Sequence, residues 1–157
     1  MVRHFKIKVP ASSANIGPGY DVLGVGLNLF LELDVEIDAL NAQETNDDKN
    51  NCKLSYTEDS EGYDSVPLES DANLITRTAL YVLRCNDIRK FPSGTKINVH
   101  NPIPLGRGLG SSGAAVVAGV VLGNEVGQLG FSKQRMLDYC LMIERHPDNI
   151  TAAMMGG

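Results

Sequence analysis

The stretch from residue 104 to residue 123, PLGRGLGSSGAAVVAGVVLG, has two parts of opposite character. In the first part, Gly106, Gly108 and Gly110 alternate with other residues, and their missing side chains let a ligand lie directly against the backbone. In the second part, Ala and Val dominate and no charge occurs before Glu125, which predicts a helix buried on most of its surface. The free N–H groups and the positive dipole end of such a helix favour an anion, and phosphate suits this loop best.

Three known kinds of phosphate-binding loop have this general form. The loop of the common nucleoside triphosphatases requires a Gly-Lys pair, which the sequence lacks. Gly108, Gly110 and Gly113 fit the dinucleotide pattern G-x-G-x-x-G. That pattern requires a strand on each side of the helix, whereas a second helix is predicted after Ser132. The third kind is P-x-x-x-G-L-G-S-S, found at residues 104–112, and it is the most specific match.

Composition restricts the class of protein. The 157 residues are 43% hydrophobic and 21% charged, which predicts a soluble globular domain with a sizeable core. The longest uncharged run, residues 108–124, is too short to cross a bilayer, and the first residues lack the pattern of a secretory signal. Three widely spaced cysteines fit neither a disulfide framework nor a zinc site. We therefore expect a cytoplasmic protein with no membrane partner.

The net charge of −5 arises in one segment. Residues 38–64 contain eight acidic residues and two lysines, so the rest of the chain carries a net charge of only +1. This leaves no basic surface for nucleic acid. We interpret residues 39–67 as an acidic, solvated loop inserted into the domain.

Hydrophobic periodicity predicts the secondary structure around the glycine-rich stretch. The predicted strands are residues 4–9, 29–38, 95–100 and a short one at 53–57. Four helices are predicted. The first follows a cap at Ser70 or Asp71 and ends near Cys85, and the second runs from Gly113 to a C-cap at Gly130. The third runs from an N-cap at Ser132 to Glu144, and the fourth covers residues 150–155. The residues expected to face inward on the first helix are Leu74, Ile75, Thr78, Tyr81 and Val82.

Three separated segments resemble the homoserine kinases, which belong to the GHMP superfamily of small-molecule kinases. The segments are VPASSANIGPGYDVLG from Val9, the loop from Pro104 to Ala115, and ERHPDNITAA from Glu144, and the likeness is nearest to the fungal type. The resemblance implies an α+β fold, the ribosomal protein S5 domain 2-like N-terminal domain, with a mixed sheet and packed helices over residues 1–157. Homoserine kinases continue into a ferredoxin-like C-terminal domain, so this chain would be an N-terminal portion.

The resemblance also implies an activity, the transfer of the γ-phosphoryl group of ATP to the hydroxyl of L-homoserine in threonine biosynthesis. It further implies that the reaction uses Mg²⁺ and that the complete enzyme is a homodimer. Some superfamily members have an Asp base where this chain has Asn149. An amide is a poor base, so catalysis would depend on alignment and charge neutralisation. The implied residues are Ser112, Glu144 and Asn149 for catalysis; Asn73, Pro104, Leu105, Gly106, Arg107, Gly108, Leu109, Gly110, Ser111, Ser112 and Gly113 for ATP; Asn15, Asp21, His146 and Asn149 for homoserine; and Ser112 and Glu144 for Mg²⁺.

Two alternatives stay open at this point. One is a catalytically silent fragment that binds nucleotide, because half of the enzyme would be missing. The other is a kinase for a different small alcohol, such as mevalonate or shikimate. The string His146-Pro147-Asp148 together with Asn149 favours homoserine over these.

Overall fold

The computed structural model describes residues 2–11, 29–40, 49–104 and 111–143. These residues form one four-stranded sheet of order β1-β2-β4-β3, with three helices. β1 and β2, and likewise β2 and β4, are antiparallel, while β3 and β4 are parallel. The elements in chain order are β1 (Val2–Pro10), β2 (Phe30–Asp38), β3 (Cys52–Tyr56), α1 (Leu74–Cys85), β4 (Thr95–His100), α2 (Ser111–Gly127) and α3 (Lys133–Ile143). The predicted α+β class with a mixed sheet is confirmed.

The inner face of the sheet is formed by the alternating residues that the sequence predicts. On β2, Leu31, Leu33 and Val35 are 0% exposed. The strand register places Leu33 opposite Ile7 of β1 and Val99 of β4, so a row of apolar side chains crosses three strands. This row provides the surface against which the helices pack, because successive residues of a strand point to opposite faces.

The expected acidic loop at residues 39–67 is interrupted by a strand. β3 lies at the edge of the sheet beside β4, and its Cys52 and Leu54 are buried in the core. The short strand predicted at residues 53–57 is thus confirmed with a shift of one residue. Residues 41–48 of the acidic segment lie outside the described residues.

Helix α1 begins later than the sequence predicts. The structure places its N-cap at Asn73, whose Oδ1 accepts a hydrogen bond from the Ile75 N–H at 3.0 Å. The predicted caps, Ser70 and Asp71, have other partners. The Ser70 hydroxyl accepts a hydrogen bond from the Asn50 amide at 2.7 Å, and Asp71 forms an ion pair with Lys49.

The predicted inward face of α1 is correct except at Tyr81. Ile75, Thr78 and Val82 are buried, and Leu74 packs at the margin of the core. Tyr81 is 42% exposed, so its predicted inward position is wrong. At about 100° per residue, it lies about 240° around the helix from Ile75, away from the buried face.

Helices α1 and α2 approach each other closely because glycines line one side of α2. A Cβ atom at Gly119 would lie 2.5 Å from the Ile75 carbonyl oxygen and 2.5 Å from the Thr78 Cβ. A methyl group has no room there, so glycine sets the distance between the helices. Along the contact, the residue numbers increase in both helices. The pairs are Gly119 with Ile75 and Thr78, Gly123 with Val82, and Gly127 with Leu83. The two helices therefore run in the same direction.

The end of α2 differs from the prediction. The left-handed residue after the helix is Gln128, with φ 52°, and not Gly130. The Leu129 N–H bonds to the Asn124 carbonyl at 3.0 Å and the Gln128 N–H to the Glu125 carbonyl at 3.2 Å, which is the Schellman pattern. Gly130 also has a positive φ, 69°, but it lies two residues further on, in the link to α3.

Helix α3 begins as the sequence predicts. The Arg135 N–H donates to the Ser132 hydroxyl at 3.1 Å, which makes Ser132 the N-cap. Tyr139 and Cys140 are buried against α2, and Met136 and Ile143 are half-buried on the same side, as expected. The short helix predicted at residues 150–155 lies outside the described part of the chain.

Candidate functional site

The ends of β3 and β4 and the starts of α1 and α2 lie at one edge of the domain, which we call the carboxyl edge. β3 and β4 are parallel and end in register, with Tyr56 beside Val99. Each is followed along the chain by one of the two parallel helices. The predicted ATP-binding residues Asn73, at the start of α1, and Ser112, in the first turn of α2, therefore face the same edge. Ligands of open α/β sheets commonly bind at such an edge.

The chain leaves β4 through a fixed turn. The Asn101 side chain accepts a hydrogen bond from the Ile103 N–H at 3.1 Å, and Ile103 is completely buried. The Asn101 N–H donates to the Ser60 hydroxyl at 2.9 Å, and the Asn101 carbonyl accepts from the Glu61 N–H at 2.8 Å. The half-buried Pro104, the first residue of the predicted phosphate loop, thus follows a segment held by the turn after β3.

The start of α2 suits an anion. The helix has 17 residues and no acidic side chain in its first turn, so no carboxylate of that turn neutralises its positive end. Gly113 and Ala114 are buried and have no polar side chain, so the backbone N–H groups are the polar groups that they contribute to this turn. The Ser112 side chain is exposed. An exposed hydroxyl beside a phosphate site is a suitable ligand for a hard cation such as Mg²⁺.

Asn73 lies at the carboxyl edge, but its side chain is only 3% exposed. Its amide donates to the Tyr56 hydroxyl at 2.9 Å and to the Pro67 carbonyl at 2.9 Å, while its oxygen caps α1. Burial raises the pKa of Tyr56, and the hydrogen bond with Asn73 opposes that shift. Asn73 therefore ties the end of β3 to the start of α1, and its predicted contact with ATP remains a prediction.

Most of the other predicted site residues lie outside the described residues. The structure gives no geometry for Asn15, Asp21, Leu105, Gly106, Arg107, Gly108, Leu109, Gly110, Glu144, His146 and Asn149. Within the described ranges, no group of three or more His, Cys, Asp or Glu side chains could hold a metal ion. No helix in these same ranges is long and apolar enough to cross a membrane.

The three cysteines all fall in the described part of the chain. Cys52, Cys85 and Cys140 are all free thiols. Burial raises the pKa of Cys140 to about 12, so this thiol stays protonated at neutral pH and is not a nucleophile.

Sequence reasoning missed two features of the described structure. One is the glycine contact between α1 and α2, which a spacing of four residues between Gly119, Gly123 and Gly127 would have indicated. The other is His100, whose ring lies between Glu32 and Asp59. The alternation in β2 placed Glu32 on the solvent face, but only the strand register shows that His100 is its neighbour.

The family described as GHMP kinases N terminal domain matches residues 73–157, more than half of the chain. The chain belongs to this family.

Similar proteins extend the likeness to the whole chain. It is 88% identical over 157 residues to the homoserine kinase of Saccharomyces cerevisiae, covering 100% of this chain and 44% of that protein. Our chain therefore spans less than half the length of this curated relative.

Solved structures show the same fold. A homoserine kinase from Cytophaga hutchinsonii matches with a TM-score of 0.67 at 22% identity, covering 98% of this chain and 47% of that one. The Methanococcus jannaschii mevalonate kinase matches with a TM-score of 0.63 at 15% identity, covering 96% and 51%. Because kinases named for two different substrates share the fold, the fold alone does not identify the substrate.

Proposed function

We propose that the chain is the N-terminal, ATP-binding portion of a homoserine kinase. The complete enzyme would transfer the γ-phosphoryl group of ATP to the side-chain hydroxyl of L-homoserine, forming O-phospho-L-homoserine in threonine biosynthesis. The observation that carries the proposal is the 88% identity to a curated homoserine kinase across all 157 residues. We further propose a cytoplasmic homodimer, with the acidic segment at residues 39–67 as an insertion and a C-terminal domain beyond this chain.

The proposed ATP site is the loop before α2. Backbone N–H groups of residues 106–112 would hold the phosphates, helped by the positive end of a buried helix without an acidic first turn. The described residues Pro104, Ser112 and Gly113 fit this role, because the chain approaches the helix from a fixed turn and the Ser112 hydroxyl is exposed. Arg107 is proposed to contact phosphate as well.

We propose Ser112 and Glu144 as the residues that hold Mg²⁺. Both offer hard oxygen atoms, which this ion prefers, and the bound ion would supply charge neutralisation on the phosphates. Asn15, Asp21, His146 and Asn149 would hold homoserine, with the Asp21 carboxylate paired to its ammonium group. Because the Asn149 amide is a poor base, these residues would act by aligning the hydroxyl with the phosphate.

The test is a kinase assay on the protein expressed from its complete coding sequence. ADP release and ³¹P NMR should show O-phospho-L-homoserine formed with homoserine, and little product with mevalonate or shikimate. Turnover of mevalonate in preference to homoserine would replace the proposed substrate. ATP binding without any product would favour a silent nucleotide-binding protein.

Three variants make the test specific. Ser112→Ala and Glu144→Gln should each lower kcat by about 100-fold or more, since both remove a proposed ligand of the metal. Ser132→Ala is the matched control, because it removes a serine hydroxyl at the start of α3 and should leave kcat unchanged. An equal loss in Ser112→Ala and Ser132→Ala would contradict the assignment of Ser112.

A further inference from the structure

His100, the last residue of β4, lies between two carboxylates. Its Nδ1 is 3.3 Å from Glu32 Oε2 and its Nε2 is 3.2 Å from Asp59 Oδ2. A neutral imidazole has one N–H and can donate to only one of these oxygens, whereas an imidazolium donates to both. The arrangement therefore matches the protonated ring.

The two carboxylates belong to different parts of the domain. Glu32 is on β2, in the strand register opposite His100, and Asp59 is in the turn that follows β3. The protonated ring therefore joins this turn to the middle of the sheet across the end of β4.

The same turn holds the segment that leads to the phosphate loop. The Thr57 N–H donates to the Val99 carbonyl at 2.9 Å, and the Ser60 hydroxyl accepts from the Asn101 N–H at 2.9 Å. The Glu61 N–H donates to the Asn101 carbonyl at 2.8 Å. Residues 57–61 therefore cover the end of β4 on both sides of His100, four residues before Pro104.

We propose that His100 is a positioning residue for ATP binding, because it clamps the turn at residues 57–61 onto the end of β4 and so fixes where the chain enters the phosphate loop. This inference rests on the proposed function, in which that loop binds ATP. His100 itself is not expected to touch the nucleotide.

Other charged groups surround the two carboxylates. A hydrogen bond from Thr57 and the nearby His100 both hold the pKa of Asp59 below its ordinary value. Glu58 and Glu61, both exposed, add negative charge to the same turn. On the other side, Lys8 of β1 lies 3.9 Å from Glu32 and supplies that carboxylate with a second cation.

The two contacts are not equivalent. Glu32 also has Lys8 as a charged partner, so loss of the His100 ring should weaken mainly the attachment of Asp59 and its turn.

The chain offers a matched control in His4. Its ring pairs with Asp34 on the same solvent face of the sheet. In the register, His4 lies in the row of Glu36 and Lys96, near the opposite end of β4. Lys96 precedes His100 by four residues, about 13 Å along a strand. His4→Gln therefore removes a similar contact far from the carboxyl edge.

The first experiment is hydrogen exchange on the protein from the complete coding sequence, with variants compared at the same pH. His100→Gln and Asp59→Asn should raise the exchange rate of peptides over residues 57–61 and 101–104 about fivefold. His4→Gln should match the wild type. Unchanged exchange in His100→Gln, or an equal change in His4→Gln, would overturn the clamp.

The second experiment measures the KM for ATP. In His100→Gln it should be three- to tenfold above the wild-type value with kcat nearly unchanged, whereas His4→Gln should keep the wild-type KM. A faster exchange with no change in KM, or a fall in kcat in place of the rise in KM, would refute the positioning role. If homoserine is not phosphorylated but the exchange pattern is found, the proposed function fails and the clamp stands.

Discussion

Leu33 and Asp34 are neighbours in β2, yet they lie on opposite faces of the sheet. Leu33 is completely buried against the helices, whereas Asp34 is exposed to solvent and pairs with His4. The inner face is held by close apolar packing, which depends on shape and excludes water. The outer face is held by cross-strand charge pairs, which water and salt weaken. The comparison indicates that the inner face determines most of the stability of the domain, while the charge pairs of the outer face contribute little.

The largest expected effect is on the free energy of unfolding when each of these two neighbouring residues is replaced by alanine. Leu33→Ala should lower the free energy of unfolding by about 3 kcal/mol, because it removes a large side chain from the centre of three strands. Asp34→Ala should lower it by less than about 1 kcal/mol, since the pair with His4 is exposed. Urea unfolding of the complete protein, followed by circular dichroism, measures both. Equal losses would show that the two faces do not differ in the proposed way.

A second prediction concerns the contact between α1 and α2. Gly119→Ala should destabilise the protein by about 2 kcal/mol, because its Cβ would lie 2.5 Å from backbone and side-chain atoms of α1. Gly130→Ala is the comparison, since nothing lies within 4 Å of its Cβ and only the positive φ opposes alanine, at about 1 kcal/mol. A stabilising Gly119→Ala, as helix propensity alone would give, would show that the helices are further apart.

The smallest expected effect concerns a charge pair outside the core. A hydrogen bond from Lys49 holds the pKa of Asp71 below its ordinary value, with Asn50 and Arg84 contributing. A lowered folded-state pKa stabilises the protein above the unfolded pKa of about 4, and this contribution is lost as the pH falls through the folded value.

Asp71→Asn should therefore lower the free energy of unfolding at pH 7 by less than about 1 kcal/mol, because the side chain is 37% exposed. The difference from the wild type should shrink as the pH falls below about 4. Denaturant unfolding at both pH values measures it, with Asp64→Asn as a control in the turn-rich segment before α1. A difference that grows in acid would reverse the assigned sign.

Much of the fold could be predicted because local patterns and burial agree. Strict alternation indicated β2, and the buried Leu31, Leu33 and Val35 are those the alternation predicts. Ser132 was recognised as an N-cap because it is a good capping residue directly before a periodic segment.

The cap of α1 could not be predicted in the same way. Ser70, Asp71 and Asn73 are all good capping residues within four positions, and their types do not decide between them. Asn73 caps the helix because its amide also reaches Tyr56 and Pro67, which are distant in sequence. Of the predicted site, only Pro104 and the residues at the starts of the two helices fall in the described ranges. The other predicted site residues therefore still depend on the likeness to known kinases.

The sequence by itself determined the period of each strand, the buried helix after a glycine-rich loop, and the motif that identifies the family. These are properties of residues that are close together in the sequence, so they do not depend on which distant residues the fold brings into contact. The tertiary structure alone decided which glycines bring α1 against α2, which asparagine closes α1, and that His100 meets Glu32 and Asp59 at the end of β4. Those facts depend on contacts between residues far apart in the chain, and only the strand register and the packing of the helices bring such residues together.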